Sequence, residues 1–311
     1  VQIPSFAGGA LSLTIHPVSG ELTGSHGGAA VSGWRSVWDK NLNPASGRTG
    51  YYSLALELDA SHDADTTLPR GIGYATFTVP DNGLLRIAGK TADGQNLLSS
   101  GPMGPKGEIA LYAPQYGNKG SLLGQLELSE DSSGVFSDNH VSSVELTWQK
   151  PQTTGRAHAA AFGPLTLNAA GGYLAQSARG QTVLGLPELG EFALEFREGG
   201  IGASATVADV GGIIWTEKFT AVMPATGNAA RASVKINKST GAVSGSFTLV
   251  ETTPPLTRNN VKFAGQVVRG MADAEVLAVG HFLLPQIPGG GQTIRNSPLL
   301  SGAVIAVQPA P

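Results

Sequence analysis

The sequence contains no cysteine. A disulfide scaffold is therefore excluded. Charge is scarce as well: Asp, Glu, Lys and Arg make up 14% of the chain, against about 25% in an average soluble domain. The 20 Lys and Arg residues are scattered and the formal net charge is −3. A dedicated nucleic-acid binder carries a clustered positive face, so that class is set aside. Apolar runs are short, and none approaches the ~18–20 residues that cross a bilayer as a helix. Aromatic content is only 6%, which argues against the aromatic girdles of a membrane β-barrel. Helical periodicity is missing too. The one weak segment, Gly270–Val279, reads as a short helix or as a strand ending in Val276–Val279.

What is present is β grammar. Glycine (43 residues) and proline (19) are abundant and spread between alternating apolar runs. Such spacing marks turns rather than low-complexity sequence. The chain is organised around Ala232–Gly245, A-S-V-K-I-N-K-S-T-G-A-V-S-G. Val234 and Ile236 alternate with Ser233, Lys235 and Asn237, the period-2 pattern of a half-buried strand. Lys238–Gly241 supplies the turn. A similar phrase occurs at Leu11–Gly24 and again at Ala75–Gly89, the latter with Asn82-Gly83 as a strong hairpin signal. Tyr51–Leu58 reads as a strand with Tyr52, Leu54, Leu56 and Leu58 on one face.

At 311 residues the chain exceeds the ~250–300 at which single cores stop growing. The expected fold is all-β: two related β-sandwich or partly closed β-barrel halves built from repeated hairpins. The polar stretch Pro151–His158 is the expected boundary, giving units at 1–155 and 156–311. An internal duplication is expected between residues 74–128 and 231–307, where turn spacing and a Pro-Gln step (Pro114-Gln115, Pro285-Gln286) recur in order. Val1–Pro4 carries no basic or apolar leader pattern, and Gln308–Pro311 resembles a linker. Both ends suggest a piece of a longer chain.

Catalytic signatures are sparse. The six histidines show no metal-ligand spacing, and H-E-x-x-H, G-x-S-x-G and S-x-x-K are absent. A Ser-His-Asp triad needs only to meet in space, so an unrecognised β-sheet hydrolase stays as a third reading. Gly89-Lys90-Thr91 fails P-loop spacing. Asp59, Asp63 and Asp65 share one loop, and oxygen ligands on a loop suit calcium. Glu130, Asp131 and Asp138 form a second acidic stretch. Four aromatics are candidate ligand contacts: Trp34 and Trp38, four apart on an expected strand, and Tyr112 and Tyr116, flanking Ala113-Pro114-Gln115. Exposed on one face, such rings stack on sugars; buried, they are core.

The phrases Gly73–Val79, Leu111–Pro114, Ser244–Leu249, Val261–Gly265 and His281–Pro285 together resemble a recurrent β-rich module of very long exported proteins of environmental bacteria. There the module sits beside immunoglobulin-like or other β repeats. The resemblance spans residues 50–307 and implies an exported, cell-surface location. It brings no catalytic residues.

The leading expectation is a non-enzymatic extracellular or cell-surface structural or adhesion module, with no obligatory cofactor. The alternative is a carbohydrate-binding module using its exposed aromatics. Expected partners are other domains of a longer chain, copies of itself, or a glycan. Self-assembly by strand addition would use the edges at Val1–Phe6 and Ala303–Val307.

Overall fold

The structure is a computed structural model describing residues 2–6, 9–130, 138–174, 184, 186, 190–203, 205, 209–216 and 220–309. Strands β1 (Gln2–Phe6), β2 (Gly9–Ile15), β3 (Glu21–His26) and β4 (Ala29–Trp34) form a small antiparallel sheet in chain order. The Leu11–Gly24 phrase is its β2–β3 hairpin.

The next eight strands form one sheet. They are β5 (Gly50–Leu58), β6 (Gly73–Val79), β7 (Leu84–Lys90), β8 (Asn96–Pro102), β9 (Glu108–Gln115), β10 (Gly120–Ser129), β11 (His140–Lys150) and β12 (Phe162–Tyr173). Consecutive strands pair antiparallel, and β12 returns to pair with β5. Among the described residues the ring is broken between β8 and β9, the two ends of the strand order. There the Tyr112 N–H donates to Ser99 Oγ at 3.2 Å and Gln115 Nε2 donates to the Asn96 carbonyl at 3.0 Å. The result is a nearly closed up-and-down barrel.

The last eight strands repeat that plan. They are β13 (Glu191–Glu198), β14 (Val210–Trp215), β15 (Ala221–Val222), β16 (Ser233–Ile236), β17 (Ala242–Thr252), β18 (Pro255–Val267), β19 (Val276–Pro285) and β20 (Leu299–Val307). Here β20 closes on β13 and the gap lies between β15 and β16. The all-β expectation of two partly closed barrel halves is thus met. In Gly270–Val279, residues 270–275 form a loop and Val276–Val279 opens β19, so the strand alternative holds and the helix does not. Parts of the expected strands at 182–187, 203–207 and 213–219 lie outside the described residues.

Alternation fills each barrel. Tyr52, Leu54 and Leu56 of β5 are buried in the first core with Phe77, Ile87, Leu97 and Trp148. Tyr52 stacks on Phe77 at 5.2 Å. The second core gathers Phe196, Phe247, Phe263 and Phe282, mostly edge to face. Aromatic pairs of this kind each contribute about 0.5–1.5 kcal/mol beyond area burial. In the Asn82-Gly83 turn, Gly83 has φ of 64°, and a Cβ there would strike the Trp38 ring at 2.4 Å.

Two sequence expectations need correction. The boundary at residues 155/156 falls inside the first sheet, because β12 pairs with both β11 and β5. Pro151–His158 is polar for a different reason: it is part of a loop that crosses to the second barrel. Arg156 Nε and Nη2 donate to the carbonyls of Ser297 and Ile294, each at 2.7 Å. Ala303–Val307 is no free edge either, since β20 is paired on both sides. β1, by contrast, is an edge of the small sheet.

The barrels meet along β5, β6, β18 and β19. Ala55 packs on Val268 and Val279, with Ile72, Met271 and Val276 around them. The Ile72 N–H donates to the Gly280 carbonyl at 3.2 Å, and the Arg70 N–H to the Ser301 carbonyl at 3.2 Å. This contact explains why β5 and β19 are buried on both faces, against simple alternation.

Candidate functional site

A groove of about 620 Å³ opens on the first barrel beside the small sheet. Trp34, the last residue of β4, lines one side, and Tyr112 of β9 lines the other. Ser99, Gly101, Gln125 and Glu145 are also in its lining. The groove crosses the β8–β9 seam, where the ladder is interrupted and the surface gives way.

Each wall has a local cause. Trp34 is fixed because its indole N–H donates to the Pro102 carbonyl at 3.2 Å. The salt bridge between Lys106 and Glu21 ties the same sheet to the barrel at 2.5 Å. Tyr112 points outward, 61% exposed, because its neighbours Leu111 and Ala113 fill the core. On β11 the pairing slips between Gln125 and Leu126, where Glu145 and Ser143 are the successive partners. Val144 is therefore the extra residue of a β-bulge, which re-aims side chains. Val144 and Glu145 both face outward into the groove.

The other two expected aromatics go elsewhere. β4 stops at Trp34, so Trp38 does not share its strand face. Trp38 packs against the first core, donates to the Gly104 carbonyl at 3.1 Å and lies under the Arg48 guanidinium at 5.7 Å. Tyr116 follows the end of β9 with φ of 52°. Its hydroxyl donates to buried Asp93 at 2.7 Å, and the Lys150 ammonium lies 5.0 Å from its ring centre. Burial first, then the Asp93 charge, pushes the Tyr116 phenol far up. Burial also lowers Lys150, which donates to Thr153 Oγ1 at 2.9 Å. These groups form an internal clasp.

In the acidic loop the three carboxylates all have partners within the protein. Asp59 Oδ1 accepts from the Ser61 N–H and hydroxyl, and Oδ2 accepts from Asn168. Asp65 caps Thr67 in the same way. Asp63 pairs with Arg70 at 2.8 Å. Such bonds hold the Asp59 carboxyl down at about 2. Among the described residues no three His, Asp or Glu are grouped to hold a metal. In the second acidic stretch, Glu130 pairs with Arg48, and Asp131 lies outside the described residues.

Two serine–histidine contacts occur among the described residues. Ser19 Oγ lies 3.0 Å from His16 Nδ1 within one exposed turn, where the same nitrogen also accepts the Ser19 N–H. Ser301 meets His158, but through the wrong atoms for hydrolysis. His158 Nε2 accepts the backbone N–H of Ser301 at 3.0 Å, while Nδ1 faces the Thr67 carbonyl at 3.0 Å. The Ser301 hydroxyl instead donates to the Ala92 carbonyl and accepts the Gly71 N–H. A nucleophile needs its hydroxyl proton on the base. His158, whose pKa burial lowers, is a bracket between the barrels.

Sequence reasoning found Trp34 and Tyr112 but not Ser99, Gln125, Val144 or Glu145. One signal was available: Val141 and Leu146 are both core residues at an odd spacing, which requires a bulge between them.

No family model matches the chain. A search of curated proteins finds no match. Among solved structures, a double mutant of the vaccine antigen Transferrin Binding Protein B from Haemophilus parasuis Hp5 aligns at 9% identity with a TM-score of 0.23. The alignment covers 96% of this chain, which spans 65% of the length of that one. A superposition that loose carries no argument about fold or function.

Proposed function

We propose that the chain is a non-enzymatic binding module of an exported, cell-surface protein, and that its ligand is a glycan held in the Trp34–Tyr112 groove. The observation that carries this reading is the pair of aromatic side chains from different sheets lining one open concavity. Sugar rings offer an apolar C–H face for stacking and a hydroxyl rim for hydrogen bonds. Ser99, Ser100 and Gln125 supply that second chemistry along the groove. Binding sites of this size combine an apolar platform with a few placed polar groups. Among the described lining residues Glu145 is the one carboxylate. Glycoside hydrolysis ordinarily needs two, which favours binding over turnover. Adhesion follows if the glycan belongs to another surface, and the exported location rests on the resemblance of the β phrases.

A glycan array probed with the full chain and with a Trp34→Ala/Tyr112→Ala variant tests the proposal. Selective wild-type signals that the variant loses are expected. An array without wild-type signals, or with signals the variant retains, overturns it.

A further inference from the structure

A second concavity, of about 450 Å³, lies between the barrels. Lys90 and Gly94 of the first barrel face β18 and β19 of the second across it. Its chemistry differs from that of the groove. Among the described residues, Lys90, Arg258 and Lys262 line it and no carboxylate does. In a chain with net charge −3, that local imbalance is a departure from the average surface.

The three cations are not equivalent. Arg258 is committed to buried Glu251 at 2.6 Å and to the Pro285 carbonyl at 2.9 Å. Lys90 and Lys262 enter none of the ion pairs among the described residues.

The backbone is shaped here. Phe247 pairs with Val261 and Leu249 with Arg258, so Asn259 and Asn260 together oppose Thr248. This bulge turns both amide side chains outward into the cleft. Asn260 takes φ of 56°, a left-handed conformation that asparagine tolerates better than most residues.

His281 adds an independent observation. It lines the cleft, is only 5% exposed, and stacks on Tyr74 at 6.0 Å. Its buried Nδ1 has no hydrogen-bond partner; the nearby Ile72 backbone does not complete one. Its Nε2 would lie 3.5 Å from a Cβ at Gly94, on the cleft's opposite wall. Nδ1 is sealed from the cleft, so an ion there meets the imidazole through its Nε2 edge.

We infer that this inter-barrel cleft binds a small oxyanion: a carboxylate, sulfate or phosphate group. The site is separate from the Trp34–Tyr112 groove and stands without it. Lys90 and Lys262 supply charge, Asn259 and Asn260 supply neutral donors, and the imidazole of His281 gains a counterion that makes its protonated form tolerable. Charge-assisted hydrogen bonds of this kind are the strong ones.

The test uses the full chain with isotope-labelled histidine rings, followed by NMR at constant ionic strength. Sodium sulfate, sodium phosphate and sodium glucuronate are added separately, with sodium chloride as reference. A saturable shift of the His281 ring signals is expected with at least one of the three, and Lys262→Gln should weaken it on the order of tenfold. Saturation by sulfate or phosphate assigns the site to the inorganic or ester oxyanion. Saturation by glucuronate alone assigns it to an acidic sugar. Shifts no different from those in chloride overturn the inference, as does a saturation unchanged in both Lys90→Gln and Lys262→Gln.

Discussion

Trp34 and Tyr112 line one groove although the first ends a strand of the small sheet and the second sits in the first barrel. The groove therefore depends on how the small sheet docks, through the Trp34–Pro102 hydrogen bond and the Lys106–Glu21 pair. Gly101 gives a way to close it. No heavy atom lies within 4 Å of a Cβ built at Gly101, so a side chain there enters open space. Gly101→Leu should abolish glycan binding with no loss of thermal stability, measured by calorimetry on the same samples.

The opposite behaviour is expected at Tyr116. Its hydroxyl satisfies a buried carboxylate, and leaving a buried acceptor short of a partner costs about 1–3 kcal/mol. Tyr116→Phe should lower unfolding free energy by that order in urea titration and leave glycan affinity unchanged.

Glu251 and Arg258 are both about 1% exposed and paired at 2.6 Å. Removing one partner strands a buried charge, at about 3–5 kcal/mol. Glu251→Ala should lose that much stability in urea. Glu251→Leu combined with Arg258→Met should recover most of it, because two well-packed apolar side chains avoid the desolvation of both charges.

The pH dependence of stability follows from His281. Burial, and then the Lys90 charge, lower its pKa from 6.5 to about 4. The unfolded chain thus binds this proton more readily than the folded one. Stability is full above about pH 6.5 and falls as the pH drops toward about 4, by roughly 3 kcal/mol in all for this residue. Unfolding followed between pH 7 and pH 5 in chloride buffer should show about 2 kcal/mol of that loss, and His281→Gln should flatten it.

Much of the architecture was legible because a barrel strand alternates. The phrases around Tyr52, Phe77 and Val234 put their apolar residues on one face, and those faces fill the cores. The changeover between barrels was not legible. The Pro151–His158 loop has the composition of a linker, yet Arg156 and His158 use it to clamp the second barrel. The site was half legible. Ring identity pointed to Trp34 and Tyr112, but Trp38 and Tyr116 have the same composition and differ only in where a strand ends. Their fate was decided by partners distant in sequence, Gly104 and Asp93. The duplicated phrases raise a related point. The 74–128 phrases begin on β6, the second strand of its barrel, and the 231–307 phrases on β16, the fourth. Any common ancestry would include a shift by one hairpin.

The most direct measurement is the indole N–H spectrum of the labelled chain during titration with a glycan selected on the array. The chain has four tryptophans; Trp148 and Trp215 are fully buried, and Trp38 is packed on the first core. The Trp34 signal should move saturably while those of Trp148 and Trp215 stay in place. Saturable binding that leaves Trp34 unmoved would contradict the groove as the binding site.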